Sequence, residues 1–189
     1  MSGPVAVYDA NVLFSASLRD FVVWLGIERA CRPIWTETIH NEWMENVLLK
    51  RSETQRSNLE RTRDLMNSNL PSALVTNYES LIPTLTLPDE NDRHVLAAAI
   101  RGEANHIVTF NLKDFPPNIL GHYEIAAIHP DDFVLALLEA NPETVLKAAN
   151  QHRASLKKRP KSPEEYLLKM ASDGLRKTAE KLRAFVEQI

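Results

Sequence analysis

The chain has 189 residues, of which 44% are hydrophobic and 25% are charged, and its formal net charge is −3. These values fit a packed globular core and exclude a largely disordered chain. The only cysteine, Cys31, excludes an intramolecular disulfide and a cluster of thiolate zinc ligands. Because neither a secretory signal nor an apolar run of about 20 residues is visible, we expect a soluble, cytoplasmic protein without membrane contact.

Charge is unevenly distributed along the sequence. Residues 1–140 carry 11 Lys and Arg residues against 19 Asp and Glu residues, whereas residues 141–189 carry 11 against 6. An acidic body with a basic tail suggests a polyanion that approaches from the tail, with a metal ion offsetting the acidic body. A solvated helical extension accounts for the same charges equally well.

The first predicted strand, residues 5–8, ends on a carboxylate. Asp9 follows at its tip, and Asn11 lies two positions further on. In an open α/β sheet, this edge is where functional sites are built. Ser15 or Ser17 can cap the helix that is expected next.

A second β-α unit follows. Residues 32–35 form a short β-biased run, and Thr36 and Thr38 can each cap a helix that runs to about Leu49. Glu42 lies near the start of this helix, one position off its apolar stripe. It can therefore lean over the strand edge.

Two further segments lead to a second acidic position. Residues 53–69 predict an exposed helix, and residues 72–76 predict another strand. Pro88 then breaks the chain before an Ala-rich helix that ends at Gly102. Asp92 falls in the first turn of that helix, where the helix dipole favours a carboxylate.

Acidic and polar residues recur after a later strand. Residues 106–109 predict a short buried strand, and Asn111 and Asp114 follow it closely. The alternation of strands and helices over residues 1–140 predicts an α/β domain of three layers with a central parallel sheet. Residues 141–189 predict a basic, all-helical extension.

Four carboxylates, those of Asp9, Glu42, Asp92 and Asp114, are thus expected at one sheet edge. Acids this close remain ionised only beside a cation, and Mg²⁺ prefers oxygen ligands. A bound Mg²⁺ can activate water and neutralise charge on a phosphodiester, so nucleic-acid hydrolysis is the predicted chemistry. The six histidines show no HxH or HExxH spacing, which argues against histidine-based metal chemistry.

The sequence resembles the PIN-domain ribonucleases, and in particular the VapC-type toxins of bacterial toxin–antitoxin pairs. The matching segments span about residues 4–133 and are Asp9-Ala10-Asn11-Val12-Leu13, Asn41-Glu42, Asn91-Asp92-Arg93-His94-Val95-Leu96-Ala97-Ala98-Ala99, and Ile107-Val108-Thr109-Phe110-Asn111-Leu112-Lys113-Asp114-Phe115. The helical extension is similar to that of a subset of these toxins.

The resemblance implies a metal-dependent endoribonuclease that uses Mg²⁺ or Mn²⁺. Its acidic metal site would consist of the four carboxylates named above, with Asn11 and Thr109 as supporting polar residues. Many relatives place Asp where Asn111 stands, so either Asn111 or Asp114 faces the metal, and Asp114 is preferred because it keeps the charge. The implied partners are an RNA substrate, an antitoxin and a second copy in a homodimer. The basic run that we predict to bind RNA consists of Lys157, Lys158, Arg159 and Lys161.

Other functions remain open at this stage. A phosphatase or a response-regulator receiver also places acids at strand ends, although the first needs Asp where Asn11 stands and Lys113 is poorly placed for the second. A non-catalytic RNA- or protein-binding module with a residual acidic pocket is a further alternative. Within the nuclease class, a toxin and an RNA-processing enzyme would share the same site.

Overall fold

A computed structural model describes residues 3–189 of the chain. Four parallel strands form one sheet in the order β2-β1-β3-β4, in which β1 is Val5–Tyr8, β2 is Arg32–Ile34, β3 is His106–Val108 and β4 is Ala126–Ile128. The strand order changes direction between β1 and β3, which pair through Val7 and Ile107. Such a switch point opens a crevice at the carboxyl ends of the two strands.

Helices connect these strands on both faces of the sheet. Phe133 packs edge-on against Tyr8 on one face, with ring centroids 6.1 Å apart. On the opposite face, Gly102 lies against the side chain of Ile34. The predicted α/β fold with a central parallel sheet is confirmed. The helices of this part are α1 (Ala10–Leu13), α2 (Ala16–Ile27), α3 (Glu37–Lys50), α4 (Arg56–Asn69), α5 (Arg93–Arg101), α6 (Pro117–Leu120) and α7 (Pro130–Ala140), with 3₁₀ turns at Glu79–Thr84, Glu90–Asp92, Leu112–Asp114 and Gly121–Tyr123.

Side-chain caps fix where the helices near the crevice begin. Ser15 accepts a hydrogen bond from the backbone of Leu18 at the start of α2, and Thr36 accepts one from Ile39 at the start of α3. These caps therefore come from Ser15 and Thr36, the first residue of each predicted pair. Asp92 closes the 3₁₀ turn and occupies the N-cap position of α5, one step before the first turn in which we expected it.

The strand predicted at residues 72–76 is absent from the described residues. Only Leu74 forms an isolated bridge, with Trp35, through hydrogen bonds from the Trp35 N–H to Ala73 and from the Val75 N–H to Trp35. Asn77 then adopts a left-handed conformation with φ of 60°, which turns the chain away from the sheet. The prediction failed because β-branched composition does not reveal where the chain turns.

The C-terminal part is helical, as predicted, and packs on the α/β body. It comprises α8 (Pro142–Ser155), α9 (Pro163–Ser172), α10 (Arg176–Leu182) and a 3₁₀ turn at Arg183–Gln188. The ring of His152 in α8 stacks on that of Phe21 in α2, with centroids 5.8 Å apart. We refer to residues 141–189 as the extension; the domain boundary between residues 140 and 141 stays a prediction. Across residues 3–189, none of the helices combines the length and the apolar character that a membrane span requires.

Candidate active site

Asp9 lies at the tip of β1 and anchors the site. It is buried, with 7% of its surface exposed, and its carboxylate does not cap the helix that it precedes. Instead, Asp9 Oδ2 accepts hydrogen bonds from Thr109 Oγ1 at 2.7 Å and from Asn11 Nδ2 at 2.6 Å. The carboxylate is therefore held by polar groups from the ends of two adjacent strands.

Thr109 and Asn11 extend this network across the crevice. Asn11 Nδ2 also donates to Thr109 Oγ1 at 2.9 Å, and the Asn111 backbone N–H donates to the same hydroxyl at 3.0 Å. The Phe110 N–H donates to Asn11 Oδ1 at 3.2 Å. Because Asp9 Oδ2, both polar atoms of the Asn11 amide and the Thr109 hydroxyl have defined partners, the network fixes the orientation of Asp9 relative to the loop after β3.

The pKa values of Asp9 and Asp92 are both raised above their ordinary values. Burial raises the pKa of Asp9, and the nearby charge of Glu42 raises it further, while the Thr109 hydrogen bond opposes the shift. Burial, followed by the charges of Asp9, Asp89 and Asp114, raises the pKa of Asp92 to about 6. The structure thus brings the carboxylates of Asp9, Glu42, Asp92 and Asp114 within electrostatic range of one another.

Glu42 reaches the site from α3 and has a partner that sequence reasoning missed. His94 Nε2 in α5 lies 2.8 Å from Glu42 Oε1, and the His94 side chain is 9% exposed against 38% for Glu42. His94 Nδ1 has no hydrogen-bond partner among residues 3–189. The spacing of the histidines in the sequence does not single out His94. Its position two residues after Asp92, in the first turn of the same helix, is the signal that could have indicated this role.

Asn111 and Asp114 both lie beside the site. The amide of Asn111 donates to Asp114 Oδ2, which joins the two ends of the 3₁₀ turn after β3. The charge of Asp114 acts on Asp92, as described above. The two residues are thus neighbours, and the assignment of Asp114 as the charged member of the site stays a prediction.

The basic run predicted to bind RNA lies in the loop between α8 and α9. Lys157, Lys158 and Arg159 are exposed at its outer part. Lys161 lines a cavity that Asn11 lines as well, whereas Lys157, Lys158 and Arg159 do not line it. The structure does not bring the other three residues to the carboxylates.

The donor set fits a hard divalent cation by its chemistry. All four candidate ligands offer carboxylate oxygens, which Mg²⁺ and Mn²⁺ prefer. Burial, followed by neighbouring carboxylates, raises the pKa values of Asp9 and Asp92, and a bound cation would oppose both shifts. Within residues 3–189, however, no three His, Cys, Asp or Glu side chains lie close enough together to hold an ion as they stand. Direct binding by three of them would require side-chain rearrangement.

Comparison with protein families decides the membership of the chain. Residues 5–113 match the PIN domain, a match that covers the strands β1 to β3 and all four carboxylates except that of Asp114. The chain belongs to the PIN-domain family. The predicted resemblance is confirmed, and it favours this family over the phosphatase and receiver alternatives. Residues 130–184 match the VapC50 C-terminal domain. This range comprises α7 and most of the extension.

One curated relative aligns with part of this PIN-domain chain. The protein named "Putative ribonuclease VapC50" from Mycobacterium tuberculosis (strain ATCC 25618 / H37Rv) is 46% identical over 76 residues. The alignment covers 40% of this chain and 44% of the relative, which is less than half of each protein. No solved structure shows significant similarity to the chain.

Proposed function

We propose that this PIN-domain protein is a metal-dependent endoribonuclease that hydrolyses RNA phosphodiester bonds at the pocket around Asp9. One observation carries the proposal: acids from separate elements converge at the strand switch point, where burial and then the charges of Asp9, Asp89 and Asp114 raise the pKa of Asp92 to about 6. An uncompensated acidic cluster raises the free energy of the folded protein. Binding of a cation and a substrate is the natural explanation for such a cost.

In this proposal Asp9, Glu42, Asp92 and Asp114 hold Mg²⁺ or Mn²⁺. The bound ion would lower the pKa of a water molecule and offset charge that develops on the phosphate. Thr109 and Asn11 keep Asp9 in one orientation through hydrogen bonds of 2.7 and 2.6 Å. His94 restrains Glu42, which is otherwise partly exposed to solvent. A ligand set held in this way needs less rearrangement when the ion and the RNA arrive.

Cleavage of matched oligonucleotides tests this function. A labelled single-stranded RNA and a DNA of the same sequence would be incubated with the protein and Mg²⁺, Mn²⁺ or EDTA. We expect cleavage of the RNA with either metal, none with EDTA, and loss of cleavage in Asp92→Asn. Metal-independent cleavage, or equal cleavage by Asp92→Asn, would refute the assignment.

We further propose that the protein is the toxin of a toxin–antitoxin pair, acts in the cytoplasm and forms a homodimer. The match of residues 130–184 to the VapC50 C-terminal domain supports the toxin assignment. Induced expression should arrest growth, and Asp9→Asn should abolish the arrest. Co-expression of a neighbouring small gene that restores growth would identify the antitoxin. Normal growth during strong expression of active enzyme would favour an RNA-processing role.

A non-catalytic binding module is the second candidate. It is favoured by the spacing of the acids, since no three of the potential ligands among residues 3–189 are close enough to hold an ion directly. Calorimetric titration with Mn²⁺ separates the two candidates. The nuclease requires saturable binding that is weakened in Asp92→Asn, whereas the binding module predicts no such difference.

A further inference from the structure

A groove connects the candidate active site with the extension. Its cavity of about 530 Å³ is lined on the body side by Asn11, Phe14, Arg51 and Phe110, and on the extension side by Lys161 and Lys169. Asn11 belongs to the hydrogen-bond network of Asp9. A ligand that fills this groove would therefore extend from the acidic pocket onto the extension.

Phe110 presents an aromatic surface at the pocket end of this groove. Its ring lies edge-on to that of His129, with centroids 5.1 Å apart, and the side chain remains 39% exposed. Gly174, at φ of 97°, approaches the ring so closely that a Cβ there would lie 2.7 Å from it. The α9–α10 turn of the extension thus positions Phe110. Phe14 supplies a second ring, beneath Lys50 Nζ at 4.9 Å.

The charges of the groove favour an anion. Arg51, Lys161 and Lys169 line it, opposed by Asp20 and Asp173. Asp173 is largely neutralised because it accepts hydrogen bonds from Lys169 and from Ser15, the latter at 3.0 Å. With Lys169 paired to Asp173, Arg51 and Lys161 outnumber Asp20 among the remaining charges of the groove, and both can meet phosphates.

The groove continues into the basic loop of the extension. Leu156 and Lys161 line both the groove and an adjoining depression of about 620 Å³. Lys157, Lys158 and Arg159 line that depression as well. A path of positive charge thus begins beside the acidic pocket and ends on the loop between α8 and α9.

We propose that this groove binds the single-stranded part of an RNA substrate next to the bond that is cleaved. Unpaired bases stack on Phe14 and Phe110, and successive phosphates meet Arg51, Lys161 and then the basic loop. Bases in a duplex are stacked on one another and cannot use such rings, so the groove selects unpaired RNA. This inference rests on the proposed endoribonuclease function. It assigns the selection of the RNA substrate jointly to the PIN domain and the extension.

Binding measured without cleavage tests the proposal. Full-length protein carrying Asp92→Asn would be titrated with labelled single-stranded RNA and with the same RNA annealed to its complement, over a range of salt concentrations. Adding Arg51→Ala and Lys161→Ala should weaken single-strand binding at least tenfold and reduce the salt slope by about 1.4, since each phosphate contact contributes about 0.7. Phe110→Leu should weaken it about tenfold through lost stacking, with an unchanged salt slope. The matched control, Arg101→Ala with Lys181→Ala, removes the same charge elsewhere and should leave affinity within twofold.

Each result separates this inference from the proposed function. Control-like binding by the Arg51 and Lys161 variant, while the unsubstituted protein cleaves RNA with metal, overturns the groove and leaves the nuclease intact. The predicted losses of affinity without any cleavage support the groove and refute the nuclease. Equal or tighter binding of the duplex overturns the groove's single-strand selection. If the substitutions abolish binding of polyglutamate but not of RNA, the groove is a site for an acidic peptide and the proposal is overturned.

Discussion

Asp131 and Thr178, separated by 47 positions in the chain, are joined by three hydrogen bonds, one of which runs from the Thr178 hydroxyl to the Asp131 carbonyl at 3.2 Å. The Thr178 N–H and hydroxyl both donate to Asp131 Oδ1, at 2.9 and 2.8 Å, and the Lys177 N–H donates to Oδ2 at 2.8 Å. Asp131, at the start of α7, is 4% exposed. Its carboxylate accepts hydrogen bonds from the first backbone N–H groups of α10, which have no partner within that helix. The extension is thus fastened close to the turn that contacts Phe110.

Replacement of Asp131 should weaken this attachment. Asp131→Ala leaves buried donors without an acceptor and should lower the free energy of unfolding by about 3 kcal/mol. Urea denaturation checks this value. Asp132→Ala is the matched control: it removes only an exposed ion pair with Lys177 and should cost less than about 1 kcal/mol. Equal effects of the two substitutions would show that the buried bonds do not stabilise the extension.

Neutralising Asp92 should stabilise the metal-free protein. The pKa of Asp92 is about 6 in the folded state, above its ordinary value of 3.8, so its ionisation opposes folding above pH 6. Asp92→Asn should therefore be more stable at pH 7 by about 1 kcal/mol, after allowance for solvent screening.

The pH dependence distinguishes this cause from a general packing effect. The advantage of Asp92→Asn should be full above pH 6, decline as the pH falls towards 3.8, and vanish below that value, where the wild-type carboxyl is protonated in both states. Thermal unfolding in EDTA at several pH values provides the measurement. A constant difference at all pH values would contradict the electrostatic explanation.

Removal of the Thr109 hydroxyl should impair both stability and catalysis. Thr109→Val keeps the shape of the side chain but deprives Asp9 of a hydrogen bond and the Asn111 N–H of an acceptor. We expect a loss of about 1–3 kcal/mol in unfolding free energy and a clear decrease in kcat. Thr109→Ser keeps the hydroxyl and should retain most activity. Full activity in Thr109→Val would remove the residue from the proposed supporting network.

Acid should destabilise the packing of the extension through His152. Burial lowers the pKa of His152 from 6.5 to about 4, and the ring is 1% exposed between Phe21 and Tyr166. Because the unfolded chain binds the proton more readily, stability is retained above pH 6.5 and is lost as the pH falls towards 4, by about 3 kcal/mol. His152→Gln should flatten the stability profile by this amount between pH 6.5 and 4. An unchanged slope would show that His152 is not a source of acid sensitivity.

The sequence predicted the elements of the fold because strong local signals define them. Apolar runs marked the strands β1, β2 and β3, and Ser15 and Thr36 supplied caps where helices begin. The strand expected at residues 72–76 does not form. The chain adopts a left-handed conformation at Asn77, and no local sequence pattern revealed this turn.

The candidate site was predictable in part, since strand tips in a parallel sheet share one edge. That rule placed Asp9 beside the polar residues that follow β3, whereas the family resemblance supplied Thr109 as a supporting residue. The 2.7 Å hydrogen bond between Asp9 and Thr109 agrees with both. The position of His94 two residues after Asp92 indicates that it lies near the site, but its specific contact with Glu42 was not predictable because it joins two helices whose relative rotation depends on tertiary packing. The contact of Gly174 with Phe110 lay beyond sequence reasoning for the same reason.

The central claim is that the acids around Asp9 form the centre of a metal-dependent ribonuclease, and the most direct test is cleavage of total cellular RNA. Purified protein would be incubated with Mg²⁺, Mn²⁺ or EDTA beside an Asp9→Asn control, and the ends of all fragments would be sequenced. We predict discrete fragments that require the metal and disappear in the control. Intact RNA under every condition, with protein shown to be folded and free of bound partner, would contradict the claim.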